Sequence, residues 1–197
     1  MKIVQEFKST ILNIILLHEP SAKKAYDEVI TAIKHNTTVG NEYVLNNSKK
    51  NINGVTQVKS QIVSKLNQEY GWKLEYPLTY LSADASKGGP IDAFKEFGKD
   101  NYKVGFEFET GNVASVHRSI NKLLIGITTG NLNMGILILP IKSMSFYLTD
   151  RVANYEEIEP YLLLWSNIPL AVIGFDADKY DPNAPILSKG KDGNHHD

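Results

Sequence analysis

The sequence predicts an α/β fold, with a mixed central β-sheet flanked by helices. Three observations predict it. Segments with apolar residues every three or four positions alternate with shorter apolar runs. Two of those runs, 136–139 and 169–175, are apolar almost without interruption, as strands covered on both faces are. Two others, Ile91–Phe97 and Tyr102–Phe108, are separated by Gly98-Lys99-Asp100-Asn101, a hairpin-type turn.

The elements follow in order. Residues 11–17 form an apolar run interrupted by Asn13, preceded by Lys2, Glu6 and Lys8 and followed by His18-Glu19-Pro20. The run is too short to span a bilayer and no small-residue cleavage site follows it, so it reads as an amphipathic helix of a cytoplasmic protein. In Pro20–Lys34 a helical spacing connects Ala22, Ala25, Tyr26, Val29, Ile30 and Ile33, and the polar stretch 35–41 ends it. Residues 55–70 repeat the pattern through Val55, Val58, Ile62 and Leu66 and stop at Gly71. Residues 82–89 read as a loop before the hairpin. A helix over 113–129 carries Val116, Ile120, Leu123, Leu124 and Ile127 on one face, with Gly130 as its stop. It connects the second hairpin strand to a buried strand within 132–141, a possible parallel crossover. Residues 155–165 read as a helix perturbed by Pro160, and 169–175 as a last buried strand. From Asp176 the chain turns polar, with a flexible tail expected from about residue 186. The length suits one domain over 1–197, with two as the alternative.

Composition narrows the function classes. Apolar residues make up 42% and charged residues 22%, the balance of a soluble globule. The absence of cysteine excludes disulfides and thiolate metal sites. A net charge of −1 argues against a broadly basic nucleic-acid binder. The charge is unevenly spread, however: residues 1–60 hold eight Lys against five acids, and residues 145–197 hold four basic residues against nine acids. A positive cleft is compatible with that balance, and so is a mixed solvated surface.

The chemistry is concentrated in carboxylates. Asp92 ends the corner Gly88-Gly89-Pro90-Ile91, and Glu107 and Glu109 alternate with Phe106 and Phe108. In a strand the two Glu share a face and the two Phe take the other. Any half-exposed strand can show that alternation, and an Asp after Gly-Gly-Pro-Ile can be turn chemistry. If the three acids converge, their repulsion calls for water or for a hard divalent cation, and oxygen ligands suit Mg²⁺. An Asp followed on the next strand by alternating acids is the layout of the nuclease superfamily whose motif is Pro-Asp, a spacer, and Asp/Glu-x-Lys.

Longer strings carry a more specific likeness. Gly88-Gly89-Pro90-Ile91-Asp92, Glu107-Phe108-Glu109-Thr110-Gly111-Asn112, His117-Arg118-Ser119, Asn121-Lys122-Leu123-Leu124 and Tyr147-Leu148-Thr149-Asp150-Arg151-Val152 resemble type II restriction endonucleases of the PD-(D/E)xK superfamily. So do Asn53-Gly54-Val55, Tyr180, Lys189-Gly190 and Asp192-Gly193, so the resemblance covers essentially the whole chain. It implies the restriction-endonuclease-like fold. It also implies a homodimer acting on double-stranded DNA, with Mg²⁺-dependent cleavage at the palindrome GGATCC that leaves 5′-phosphates, in the bacterial cytoplasm.

The resemblance also implies residue roles. Glu75 (in Trp72-Lys73-Leu74-Glu75), Asp92 and Glu107 match metal-binding carboxylates, and Glu109 matches an acid that replaces the superfamily's usual Lys. A Glu there can accept a proton from the attacking water or hold a second metal. Asn112, Arg118, Asp150 and Arg151 match base readers, Lys59 a cleft-lining lysine, and Asp192-Gly193 a minor-groove segment. The side-chain types suit base readout, since Arg pairs with guanine O6 and N7, Asp accepts from cytosine N4, and Asn pairs with adenine. Without the resemblance, Asp150-Arg151 reads as a surface ion pair and Lys59 as a solvated lysine; the alternatives to a nuclease are a non-catalytic sequence-specific DNA-binding module and a metal-binding or acidic-surface protein unrelated to DNA. His117 reads as structural.

Three departures bear on the dimer and the readout. Ala114 stands where the family has a Ser that contacts the inner bases. Thr128-Thr129 replace a Lys-His pair near the dimer interface. The chain ends at Asp197 without a further C-terminal helix, and Asn194 replaces a Met.

Overall fold

The computed structural model describes residues 1–78 and 89–189. Gly88, Asp192, Gly193, Asn194 and most of the loop expected over 82–89 lie outside the described residues.

The two uninterrupted apolar runs become β6 (Met134–Pro140) and β7 (Leu170–Asp176), buried along their whole length. The hairpin strands are β4 (Ile91–Phe97) and β5 (Tyr102–Phe108), turned by Gly98 and Asn101 at positive φ. Two further strands carry no clear signal in the sequence: β1 (Lys2–Lys8) and β3 (Lys73–Tyr76). Together they form a six-stranded sheet in the order β1-β7-β6-β5-β4-β3. β5, β6 and β7 run parallel, while β1, β4 and β3 are antiparallel to their neighbours. The helix α4 (Val113–Thr128) makes the crossover from β5 to β6.

Helices cover both faces of the sheet. On one side α1 (Thr10–His18), α2 (Pro20–Lys34) and α3 (Thr56–Gln68) close over Phe106, Phe108, Ile136, Ile138, Ile173 and Phe175. On the other, α4 buries Val116, Ile120 and Leu123 against Leu137, Leu139 and Val172. Glu107 pairs across β6 with Leu137, so it lies on the α4 side. The strand that carries it is therefore covered on both faces, and the carboxylate does not point into water.

The segment 155–165 is two helices rather than one. α6 (Tyr155–Ile158) opens with an Asn154–Glu157 capping box, and a 3-10 helix (Glu159–Trp165) takes over with Pro160 in its first turn. A proline ring clashes with the carbonyl one turn back, so it is tolerated at the start of the new helix and not inside the old one. A short α5 (Lys142–Ser145) follows β6. The short strands β2 (Val44–Leu45) and β8 (Lys179–Tyr180) pair in parallel outside the main sheet. No helix among the described residues is long and apolar enough to cross a membrane.

Candidate active site

The site lies at the end of the hairpin, where Asp92 and Glu107 stand one residue beyond the ladder pair Ala93–Phe106. Each carboxylate is approached by a lysine from a different layer. Asp92 is 8% exposed. Its Oδ2 accepts the Phe108 backbone N–H at 2.8 Å, and its Oδ1 accepts from the Lys59 ammonium on α3 at 2.6 Å. The bond to Phe108 fixes the carboxyl plane against β5 and leaves Oδ1 as the oxygen that faces a mobile cation.

Glu107 is only 2% exposed. The ammonium of Lys122 on α4 forms an ion pair with its Oε1. The two groups meet in direct contact inside the fold, shut off from water. Lys122 also donates to the Pro90 carbonyl at 2.7 Å, tying α4 to the corner before Asp92. Burial pushes the Glu107 carboxyl up from 4.5 to about 8, the nearby Asp92 charge adds to the rise, and Lys122 opposes it.

Glu109 lies just past β5 and is held differently. Its N–H donates to the Ile138 carbonyl at 2.9 Å, Oε1 accepts the Gly111 N–H at 2.6 Å, and Oε2 accepts the Ser119 hydroxyl at 2.8 Å. Each oxygen keeps a second lone pair for a further ligand. Gly111 is required by close approach, because a Cβ there would lie 2.8 Å from Glu109 Oε1 and 2.9 Å from the Ser115 side chain.

Glu75 is less engaged. The pairs Leu74–Ala93 and Tyr76–Ile91 put it across from Asp92, yet its φ is +47° and its side chain is exposed. Among the described residues no three or more of His, Cys, Asp and Glu gather closely enough to hold a metal ion. The structure thus brings Asp92 and Glu107 together, and stations Glu109 and Glu75 at their flanks. A pair of oxygen ligands still fits Mg²⁺, which commonly takes one or two carboxylates and completes its shell with water and phosphate. Two buried acids side by side, each met by a single lysine, are the observation that favours such a ligand.

Among the described residues, Asn112, Arg118, Asp150 and Arg151 are exposed and Lys59 is half-buried. Asn112 caps α4, its side-chain oxygen accepting the Ser115 N–H at 3.0 Å, so its amide N–H groups remain free to reach a base edge. Arg118 is exposed on α4. Asp150 and Arg151 are exposed on the loop after α5, where Arg151 sits at φ +66° and Asn51 donates to Asp150 at 3.3 Å. Lys59 borders an open cavity of about 340 Å³ shared with Val55, Val63 and Thr110. His117 packs edge-on against Tyr161 and Trp165, with ring centroids 5.0 and 6.3 Å away. The hydroxyls of Thr128 and Thr129 fold back onto the Leu124 and Ile125 carbonyls.

Sequence reasoning missed the roles of Lys122 and Ser119. A signal existed: Ser115, Ser119 and Lys122 make a polar stripe at helical spacing beside the buried Val116, Ile120 and Leu123.

A mixed sheet with paired acids at the end of its central hairpin defines the class of restriction-endonuclease-like nucleases. Two crystal structures of the restriction endonuclease BglII share the fold. The DNA 16-mer complex superposes with a TM-score of 0.66 at 14% identity, covering 96% of this chain and 90% of that one. Free BglII gives 0.54 at 16%, covering 90% and 81%. Within that class the chain belongs to the restriction endonuclease BamHI family, whose model matches residues 1–194. It is 41% identical to the type II restriction enzyme BamHI of Bacillus amyloliquefaciens over 98% of this chain and 92% of the relative. It is 38% identical to the type II restriction enzyme OkrAI of Oceanobacter kriegii, over 78% of each chain. Its activity is accordingly that of a type II restriction endonuclease, sequence-specific cleavage of DNA.

Proposed function

We propose that the chain cuts double-stranded DNA at GGATCC as a homodimer, with Mg²⁺ held by Asp92 and Glu107, and leaves 5′-phosphates. The observation that carries the metal assignment is the buried pair itself, two acids side by side with the Asp92 charge acting against ionisation of Glu107. Bound there, Mg²⁺ would polarise the phosphodiester and favour deprotonation of water. The chain's own groups do the rest. Asp92 is oriented by the Phe108 N–H, and Lys59 and Lys122 neutralise the two acids until the cation and a phosphate enter. Glu109, steadied by Gly111 and Ser119, accepts the proton of the attacking water or holds a second cation. Glu75, across from Asp92 on β3, would add a third carboxylate to the set.

Readout falls to Asp150 and Arg151 at G·C pairs, Arg118 at the other guanine and Asn112 at the inner A·T pair, with Asp192 and Gly193 at the minor groove. The hydrogen-bonding chemistry of these side chains supports the assignment. A second copy would cover the apolar surface of the 3-10 helix, where Leu163 and Leu164 are 81% and 74% exposed and Tyr161 and Ile125 lie half open. With Thr128 and Thr129 turned back onto their own helix, that contact rests on apolar packing.

Incubating supercoiled plasmid with protein and Mg²⁺, and sequencing the ends, tests the proposal. Linear product with both strands cut inside GGATCC is expected. A sequence-specific band shift with persistent supercoils would instead identify a non-catalytic binder.

A further inference from the structure

The reading loop that carries Asp150 and Arg151 is exposed and contains a non-glycine residue at positive φ, so something beneath it must hold its conformation. The described residues show what does. Asn53 is fully buried, at 0% exposure. Its Nδ2 donates to the Tyr147 carbonyl at 3.0 Å and to the Asn46 carbonyl at 2.7 Å, and its Oδ1 accepts the Leu187 N–H at 3.4 Å. Its own backbone N–H donates to the same Tyr147 carbonyl at 3.0 Å, and the residue bridges to Leu148. One side chain therefore joins three segments that are distant in sequence: 46–54, the reading loop from Tyr147 onward, and the C-terminal segment 182–189.

The junction is closed on its other sides. The Gly54 N–H donates to the Leu187 carbonyl at 2.8 Å, and a Cβ at Gly54 would fall 1.9 Å from the Ser188 carbonyl oxygen. Asn46 donates to the Pro182 and Ala184 carbonyls at 3.1 and 2.6 Å. Above the junction, the Asn51 N–H donates to the Phe146 carbonyl at 3.1 Å and its side chain to Asp150 at 3.3 Å. Asn51, like Arg151, is at positive φ. Leu148 and Val152 anchor the loop in the core, and these amides add directional bonds that set how it stands above them.

We propose that Asn53 is a positioning residue for sequence discrimination. Its buried amide sets where Asp150 and Arg151 present themselves, and it couples the C-terminal segment to that readout. The inference rests on the assignment of Asp150 and Arg151 as base readers. It goes beyond that assignment by predicting that a residue with no route to the DNA, and the segment 182–189 behind it, govern which base pairs are accepted.

The test measures kcat/KM on GGATCC and on sites changed singly at each G·C and A·T position, with melting temperature recorded in parallel. Asn53→Ala should lower discrimination at the G·C positions read by Asp150 and Arg151 by about 10-fold or more, within the range of one good base contact. Discrimination at the inner A·T pair should stay within about 2-fold of the wild type. Asn51→Gly keeps the positive φ and deletes only the upper amide, and should give the same positional pattern with a smaller amplitude. If Asn53→Ala does not fold, Asn51→Gly decides. Equal losses at every position, or unchanged discrimination in the folded variants, would overturn the proposal. Arg151→Ala is run beside them: if that variant discriminates normally, the reader assignment has failed; if it loses discrimination while Asn53→Ala and Asn51→Gly do not, only the clasp has failed.

Discussion

Among the described residues two lysine–glutamate pairs are buried, and they are built for different ends. Glu28 on α2, 8% exposed, accepts from Lys95 through both oxygens at 3.1 and 2.9 Å and from the Trp72 indole at 2.8 Å. Lys95 in turn donates to the Tyr70 carbonyl at 2.5 Å. Glu28 thus has a partner at each oxygen, on the side of the sheet covered by α2 and α3. Glu107, more deeply buried, meets one ammonium at a single oxygen and a neighbouring carboxylate that repels it. A fully satisfied buried pair joins elements together; an incompletely satisfied one costs stability and persists where a ligand completes it. The difference separates a structural carboxylate from a functional one of the same type.

The largest effect that sharpens this comparison is on catalysis. Asp92→Asn or Glu107→Gln should lower cleavage by roughly 10³-fold or more, as several kcal/mol of cation-borne transition-state stabilisation disappear. For Asp92→Asn, gel-shift affinity for GGATCC without divalent metal should hold or improve, because one charge facing the phosphate is gone. Full activity in either variant would break the distinction. Glu28→Ala should do the reverse. Leaving Lys95 with little compensation should cost about 3 kcal/mol in denaturant unfolding, while kcat/KM of the folded enzyme stays near the wild-type value.

Much of the fold around these pairs was legible in the sequence, though the pairs themselves were not. The α2, β4 and β5 bounds followed from periodicity and turn chemistry, and the 15-residue interval from Asp92 to Glu107 put both acids at one end of a hairpin. β1 was not legible, because Lys2–Lys8 alternates only weakly and is a half-exposed edge strand that becomes one by pairing with β7. β3 is four residues long and contains Glu75 at positive φ, so no run announces it. Nor could spacing reveal that Lys122 meets Glu107: that contact exists only because α4 crosses back over β5. The Glu28–Lys95 pair was invisible for the same reason, since it joins residues 67 apart.

Smaller effects refine the picture. Arg151→Ala should cost roughly 1–3 kcal/mol of discrimination at one base pair, read from cleavage of singly changed sites. Equal weakening on all sequences would make it a phosphate contact instead. Ser119→Ala removes one hydrogen bond from Glu109 and should lower kcat by about 10-fold at most, with unchanged KM.

The pH dependence of stability separates the pairs further. The Glu107 carboxyl is raised in the fold from 4.5 to about 8, so the folded protein holds that proton more tightly than the unfolded chain does. The resulting stability is complete below pH 4.5 and is lost as the pH rises toward 8. Melts in chelator should show this decline in the wild type and a flatter profile in Glu107→Gln. Parallel profiles would remove Glu107 as its source.

The most direct measurement is a crystal structure of the protein with a GGATCC duplex and Mn²⁺, the ion located by its anomalous signal. The expected result is an ion held by the Asp92 and Glu107 carboxylates beside a phosphate, with the Lys59 and Lys122 ammoniums displaced. Lysines still paired with both acids, and the ion bound elsewhere or absent, would contradict it.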